Sequence, residues 1–119
     1  MNPTDITDND ILYEDNHLIV VNKRAGDIVQ IDDTGDEPLD EKVKKYIARK
    51  YNKPNGAFLG VVHRLDRPVS GVILFAKTSK ALDRMNKLFK LREIRKTYYA
   101  VVRKRPEPPY GNLLHWLVK

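Results

Sequence analysis

The sequence predicts an α+β domain, a mixed but mostly antiparallel sheet flanked by two helices. Short apolar runs rich in β-branched and aromatic residues recur between turn-forming residues, as strands do. Two other segments repeat apolar residues at helical spacing instead. At 119 residues the chain has room for one domain with a small core.

The elements follow in order. Residues 1–10 are polar and acidic and are expected to be disordered, with the domain occupying 11–119. Ile11-Leu12-Tyr13 and Leu18-Ile19-Val20-Val21 flank Glu14-Asp15-Asn16-His17, the pattern of two strands joined by a tight turn. Lys23-Arg24-Ala25-Gly26 breaks the second strand, and residues 32–37 form an acidic loop. Pro38 suits the first turn of a helix whose buried stripe is Leu39, Val43, Tyr46 and Ile47, ending near Tyr51. Lys53-Pro54-Asn55-Gly56 stops it. Residues 58–62 and 72–77 read as strands on either side of a loop. Thr78 or Ser79 caps a second helix that buries Ala81, Leu82, Met85, Leu88 and Phe89. Residues 97–102 and 113–118 read as further strands, separated by a proline-rich connection over 105–111. The apolar run 113–118 has nothing after it to pair with. It is read as the cut edge of a longer domain, open to self-association.

Composition narrows the function. No apolar run nears the ~18 residues of a membrane span, and the acidic N-terminus is unlike a secretory signal. The chain contains no cysteine, which rules out disulfides, thiolate catalysis and cysteine-zinc sites and fits the cytoplasm. The net charge of +6 hides an asymmetry. Residues 1–41 hold 12 acidic and 2 basic side chains, whereas residues 42–119 hold 20 basic and 4 acidic. From Arg84 to Arg105 nine basic residues face Glu93 alone. A basic run can be a solvated helix face. This one continues through an apparent strand, as a surface for a phosphate backbone would.

His63-Arg64-Leu65-Asp66-Arg67-Pro68-Val69-Ser70-Gly71 concentrates the chemistry. Asp66 lies between Arg64 and Arg67 before a turn, and nearby positive charge favours an ionised carboxylate. Such a group is a nucleophile or base, and the arginines would attract an anionic substrate. Phosphate-cradling glycine loops of the G-x-x-x-x-G-K and G-x-G-x-x-G kinds are absent. His-Arg-Leu-Asp departs from a kinase catalytic loop because Leu65 separates Arg64 from Asp66. His17, His63 and His115 show no metal-ligand spacing, and His63 reads as a structural hydrogen-bonding residue.

HRLDRPVSG followed by a strand closely resembles the signature loop, H-R-L-D-x-x-T-S-G, of RluA-type pseudouridine synthases. Three other segments resemble that family in the same order: residues 12–23, Lys96-Thr97-Tyr98-Tyr99-Ala100-Val101-Val102, and Gly111-Asn112-Leu113-Leu114-His115-Trp116-Leu117. The resemblance implies a pseudouridine synthase-like fold. The activity it implies is isomerisation of uridine in rRNA or tRNA, with no metal or organic cofactor and with RNA rather than a membrane as partner. Asp66 matches the catalytic aspartate, acting as nucleophile at the sugar carbon or as base at the neighbouring proton. Tyr98 matches an active-site tyrosine able to stack on uracil and to move a proton, while Tyr99 should face the core. Arg64 matches the arginine that fills the place of the flipped uridine, its alternative being an ion pair with Asp66. Arg67 and Lys96 become candidate phosphate contacts, or else ordinary surface charge. His63, Leu65, Ser70 and Gly71 complete the loop as structural residues.

Val69 stands where the family usually has threonine, and Arg24 where it has proline. The family's later H-Q-I-R-type strand, with its basic partner for the aspartate, has no match here, and neither has the S4-type RNA-binding domain. The expectation is therefore the N-terminal half of a catalytic domain. Its rivals are a non-catalytic RNA-binding fragment and an interaction fragment that pairs through its last strand.

Overall fold

The computed structural model describes residues 5–105 and 111–112. Four strands, β1 (Ile11–Glu14), β2 (Leu18–Lys23), β3 (Gly60–Val61) and β4 (Gly71–Ala76), form one sheet in the order β1-β2-β4-β3. Every described pairing is antiparallel. The β1–β2 turn is closed by Asp15, whose carboxylate accepts from the His17 and Leu18 amides at 2.8 and 2.7 Å. In the central pair Ile19 lies opposite Phe75 and Val21 opposite Ile73. Because strand side chains alternate, these four point to one face, where all are fully buried.

Helix α1 (Leu39–Lys50) covers that face with Leu39, Val43, Tyr46 and Ile47, the predicted stripe. Pro38 sits at the N-cap, one residue before the helix. The first free helical amides, Leu39 and Asp40, donate to the Ile28 and Val29 carbonyls, so residues 28–29 act as the cap. Asp40 and Glu41 in the first turn and Arg49 and Lys50 in the last match the helix dipole.

Helix α2 (Ser79–Lys90) packs on the opposite face. Gly60 pairs with Ala76, on the side away from Phe75, and a Cβ built on Gly60 would lie 2.7 Å from Leu82 Cδ1. The absence of a side chain at Gly60 is what admits α2. Thr78 is the cap, its hydroxyl accepting from the Ala81 amide at 3.1 Å.

Several expectations need correction. The described part of the N-terminal stretch, residues 5–10, is packed onto the domain: Ile6 is 2% exposed in the core, and Asp8–Asp10 form a 3-10 turn. Isolated apolar residues in polar segments give no periodic signal, yet Ile6 is fixed by Arg49 on its carbonyl and by Tyr46 bonding Asp8 next to it. The strand expected over 58–62 is reduced to Gly60–Val61, and Phe58 is half-exposed. Residues 97–102 form no strand and pair with none of the described ones. Their β-branched and aromatic composition fits a pleated surface only where a neighbouring strand supplies hydrogen bonds. Tyr99, expected in the core, is therefore fully exposed. The strand expected over 113–118, and self-association through it, lie outside the described residues.

Candidate active site

The loop from residue 62 to 70 leaves β3 and returns as β4, and its side chains alternate. His63, Leu65 and Arg67 are partly buried, while Arg64 and Asp66 are exposed. His63 explains why β3 ends so early. Its Nε2 accepts the Leu74 amide at 3.0 Å, taking the position on β4 that a continuing β3 would use. The ring also stacks on Phe89 of α2, with centroids 5.1 Å apart. Burial pushes the imidazole below its ordinary value, and the Lys96 ammonium adds to the effect. Accepting the Leu74 amide at Nε2 leaves the ring proton on Nδ1.

Leu65 packs against the core cluster. The Asp66 carbonyl accepts from the Val69 amide at 2.9 Å, closing the turn that presents the Asp66 side chain. Ser70 is exposed at the loop exit. Gly71 has φ of 145°, and a Cβ there would meet Leu65 Cδ1 at 3.5 Å. A side chain would be strained at that φ, so glycine lets the chain re-enter the sheet directly beneath the loop.

Two anchors hold this loop in place, and neither was legible as such. Lys23 is 1% exposed, and its ammonium donates to the Arg24, Arg67 and Val69 carbonyls at 3.1, 3.0 and 2.5 Å. Burial pushes this amine below its ordinary value, although Asp27 and Asp66 oppose the shift. The signal was its register: in Ile19-Val20-Val21-Asn22-Lys23 the lysine shares the inward face with Ile19 and Val21. The second anchor is Arg67, expected at a phosphate. Its guanidinium donates instead to Asp36 at 2.9 Å, Thr34 Oγ1 at 3.1 Å and the Gly26 carbonyl at 3.1 Å, with Asp32 at 3.7 Å. The acidic loop 32–37 thereby neutralises the arginine next to the candidate nucleophile.

Asp66, Arg64, Arg67, His63, Leu65, Phe89, Lys96 and Asp32 help line a cleft of about 720 Å³. Among the described residues no ion pair joins Asp66 to Arg64 or Arg67. The carboxylate is exposed at the cleft, and Arg64 is exposed beside it. Lys96 lies with its ammonium 5.4 Å from the centre of the Phe89 ring, so Phe89 carries both His63 and Lys96. Tyr98 is not brought in: it is 61% exposed and absent from the cleft lining. Among the described residues no group of three or more His, Asp or Glu side chains is placed to hold a metal ion.

The family model for RNA pseudouridylate synthase matches residues 17–119, a span that contains every residue of this loop and cleft. The chain belongs to that family. Among similar proteins, the tRNA pseudouridine synthase C of Pectobacterium carotovorum subsp. carotovorum is 38% identical over 94 residues, covering 79% of this chain and 24% of that protein. The ribosomal large subunit pseudouridine synthase C of Buchnera aphidicola subsp. Schizaphis graminum is also 38% identical over 94 residues, or 28% of its length. The solved structure of human RNA pseudouridylate synthase domain containing 4 overlays with a TM-score of 0.60 and 25% identity, across 71% of this chain and 31% of that one. The chain thus spans about a quarter to a little over a third of the curated relatives it matches. Its antiparallel sheet between two helices is the α+β architecture that the sequence predicts.

Proposed function

We propose that this protein takes part in converting uridine to pseudouridine in tRNA or rRNA, with Asp66 as the carboxylate that attacks or deprotonates the target nucleotide. The observation that carries this is an exposed Asp66 in the lining of a wide cleft with cationic residues, without an ion pair among the described residues, in a chain of the RNA pseudouridylate synthase family. The reaction is an isomerisation and balances internally. The bond from the sugar C1′ to uracil N1 breaks, the base turns, C5 bonds to C1′, and the proton lost from C5 is matched by one gained at N1. A carboxylate serves either route, as nucleophile at the sugar or as base beside it. No cofactor enters this balance.

Arg64, exposed at the cleft and without a carboxylate partner among the described residues, supplies a planar cation that can occupy the stack a flipped uridine vacates. Lys96 is the phosphate contact at the rim. Arg67, held by Asp36, Thr34 and the Gly26 carbonyl, positions the loop. Tyr98 stands two residues beyond Lys96, within ~7 Å of chain; it lies outside the cleft lining, and stacking on uracil would need the backbone after Lys96 to turn toward the rim. We place this activity in the cytoplasm. Among the described residues no helix is long and apolar enough to cross a membrane. The position of Tyr98 favours the rival reading, RNA binding without catalysis.

The test is to offer the chain RNA carrying 5-fluorouridine and RNA carrying uridine. The catalytic reading expects a tight or covalent complex with the first and pseudouridine in the second, both lost in Asp66→Asn with RNA binding kept. Salt-dependent binding with neither product nor trapping would leave the binding reading in its place.

A further inference from the structure

The distribution of ion pairs singles out one surface. Among the described residues, all basic partners in ion pairs fall between Arg24 and Lys77: Arg24 with Asp10, Lys42 with Asp27, Lys77 and Lys50 with Glu14, and others alike. From Lys80 onward the described lysines and arginines have no carboxylate within 4.0 Å. Three of them, Lys80, Arg84 and Lys87, follow the i, i+4, i+7 spacing that places side chains on one stripe of a helix. The stripe lies on α2, whose buried side is defined by Ala81 and by Leu82 against Gly60.

This stripe also has a shaped end. Lys80 and Arg84 stand on the rim of a notch of about 260 Å³ with His17, over an apolar floor of Leu18, Ala81 and Met85. The one carboxylate at the rim, Asp15, is already held by the Tyr13 hydroxyl at 2.7 Å and by the two turn amides. At the other end α2 delivers Phe89 into the Asp66 cleft. A helix of 12 residues rises about 18 Å, so the stripe leads from the cleft to the β1–β2 turn.

We propose that the α2 stripe Lys80-Arg84-Lys87 is a second RNA-binding surface, which carries the phosphodiester backbone of the substrate away from the cleft and seats a nucleoside in the His17 notch. The proposal deepens the reading of the protein as an RNA-modifying one and rests on it. Three unneutralised cations in file fit a polyanion whose charges repeat along a strand. An apolar floor between cations fits the uncharged part of a nucleotide. A compact anion would need convergent donors, which a stripe does not offer.

The experiment titrates an unmodified transfer-RNA transcript with the full chain at several salt concentrations. Three proteins are compared: the parent, Lys80→Gln/Arg84→Gln/Lys87→Gln, and a charge-matched control, Lys44→Gln/Lys45→Gln/Lys53→Gln. The stripe variant should reduce the steepness of log K against log salt by about 2 units, and weaken binding roughly a hundredfold near 0.1 M salt. The control should keep the parent slope. As an independent readout on the parent, RNA should protect Lys80 and Lys87 from acetylation, measured by mass spectrometry. Equal slopes for the two variants, or unprotected Lys80 and Lys87 in a parent that binds RNA, would overturn the inference while leaving the Asp66 reading intact. A parent with no salt-dependent RNA binding would overturn both.

Discussion

Replacing Lys23 with methionine keeps most of the buried stem and removes the ammonium that ties β2 to the Asp66 loop. The size of the effect follows from the acceptors left behind. The Arg67 carbonyl keeps a partner, because the Gly26 amide also donates to it at 2.7 Å. The Arg24 carbonyl likewise keeps the Asp27 amide at 3.3 Å, so only the Val69 carbonyl loses its partner, at 2.5 Å. A buried acceptor left alone costs about 1–3 kcal/mol. Against this, the variant no longer buries a charge, an unfavourable term visible in the downward push on the lysine. The net expectation is a loss of about 1–2 kcal/mol, against the ~5–15 kcal/mol typical of a domain. Urea unfolding measures the loss, and hydrogen exchange locates it. The Val69 amide, which closes the turn on Asp66, and the Gly26 amide should lose far more protection than Ile73 in the centre of β4. Stability within ~0.5 kcal/mol of the parent, with Val69 still protected, would show that the loop stands without Lys23 and refute the reasoning.

Two further predictions concern charge. Burial alone would raise the Glu14 carboxyl, but hydrogen bonds from Lys50, Lys77 and Tyr51 outweigh it and bring it down to about 2 from 4.5. A depressed carboxylate contributes stability that is complete above its unfolded value and is lost as pH falls through the folded one. The protein should therefore weaken between pH ~5 and ~2 by on the order of 3 kcal/mol, and Glu14→Gln should flatten that part of the stability-against-pH curve. Asp32→Asn/Asp36→Asn should shift stability by less than ~1 kcal/mol, because the Arg67 pairs are solvent-exposed. It should also tighten RNA binding and steepen its salt dependence by about one unit, as Arg67 is released. Weaker binding by this variant would mean that the acidic loop contacts RNA rather than competing with it.

The parts of the fold that were legible are those whose signal lies in adjacent residues. The 2-residue alternation of Ile19 and Val21, the stripe Leu39-Val43-Tyr46-Ile47 and the Thr78 cap are each written within a dozen positions. The site was legible only as a motif. Nothing local says that Lys23 will meet carbonyls 44 and 46 residues away, or that Arg67 will turn back 31 residues to Asp36. Those partners exist only after β2 and β4 have paired. Tyr98 shows the converse limit. Strand propensity over 97–102 is a preference for a paired, half-buried surface, and among the described strands none supplies the pair.

The reactivity of Asp66 depends on where its neighbouring cations go. A motif with arginine on both sides suggests a carboxylate clasped by guanidinium, and such a clasp would blunt a nucleophile by holding its lone pairs. Each nearby cation is instead committed elsewhere or left open. Arg67 is drawn off by Asp36, Thr34 and the Gly26 carbonyl, and Lys23 is enclosed by three backbone carbonyls. Arg64 is exposed at the cleft. The acidic loop and the buried lysine thus keep positive charge close enough to favour an anionic ligand while, among the described residues, no cation pairs with Asp66, which suits the carboxylate role proposed for it. On this view Asp36 matters to the carboxylate it never touches. If Arg67 were freed without RNA present, it could turn onto Asp66, so Asp32→Asn/Asp36→Asn should bind RNA more tightly and yet react more slowly with a trapping nucleotide. A variant that gained in both would show that Arg67 was never a competitor for Asp66.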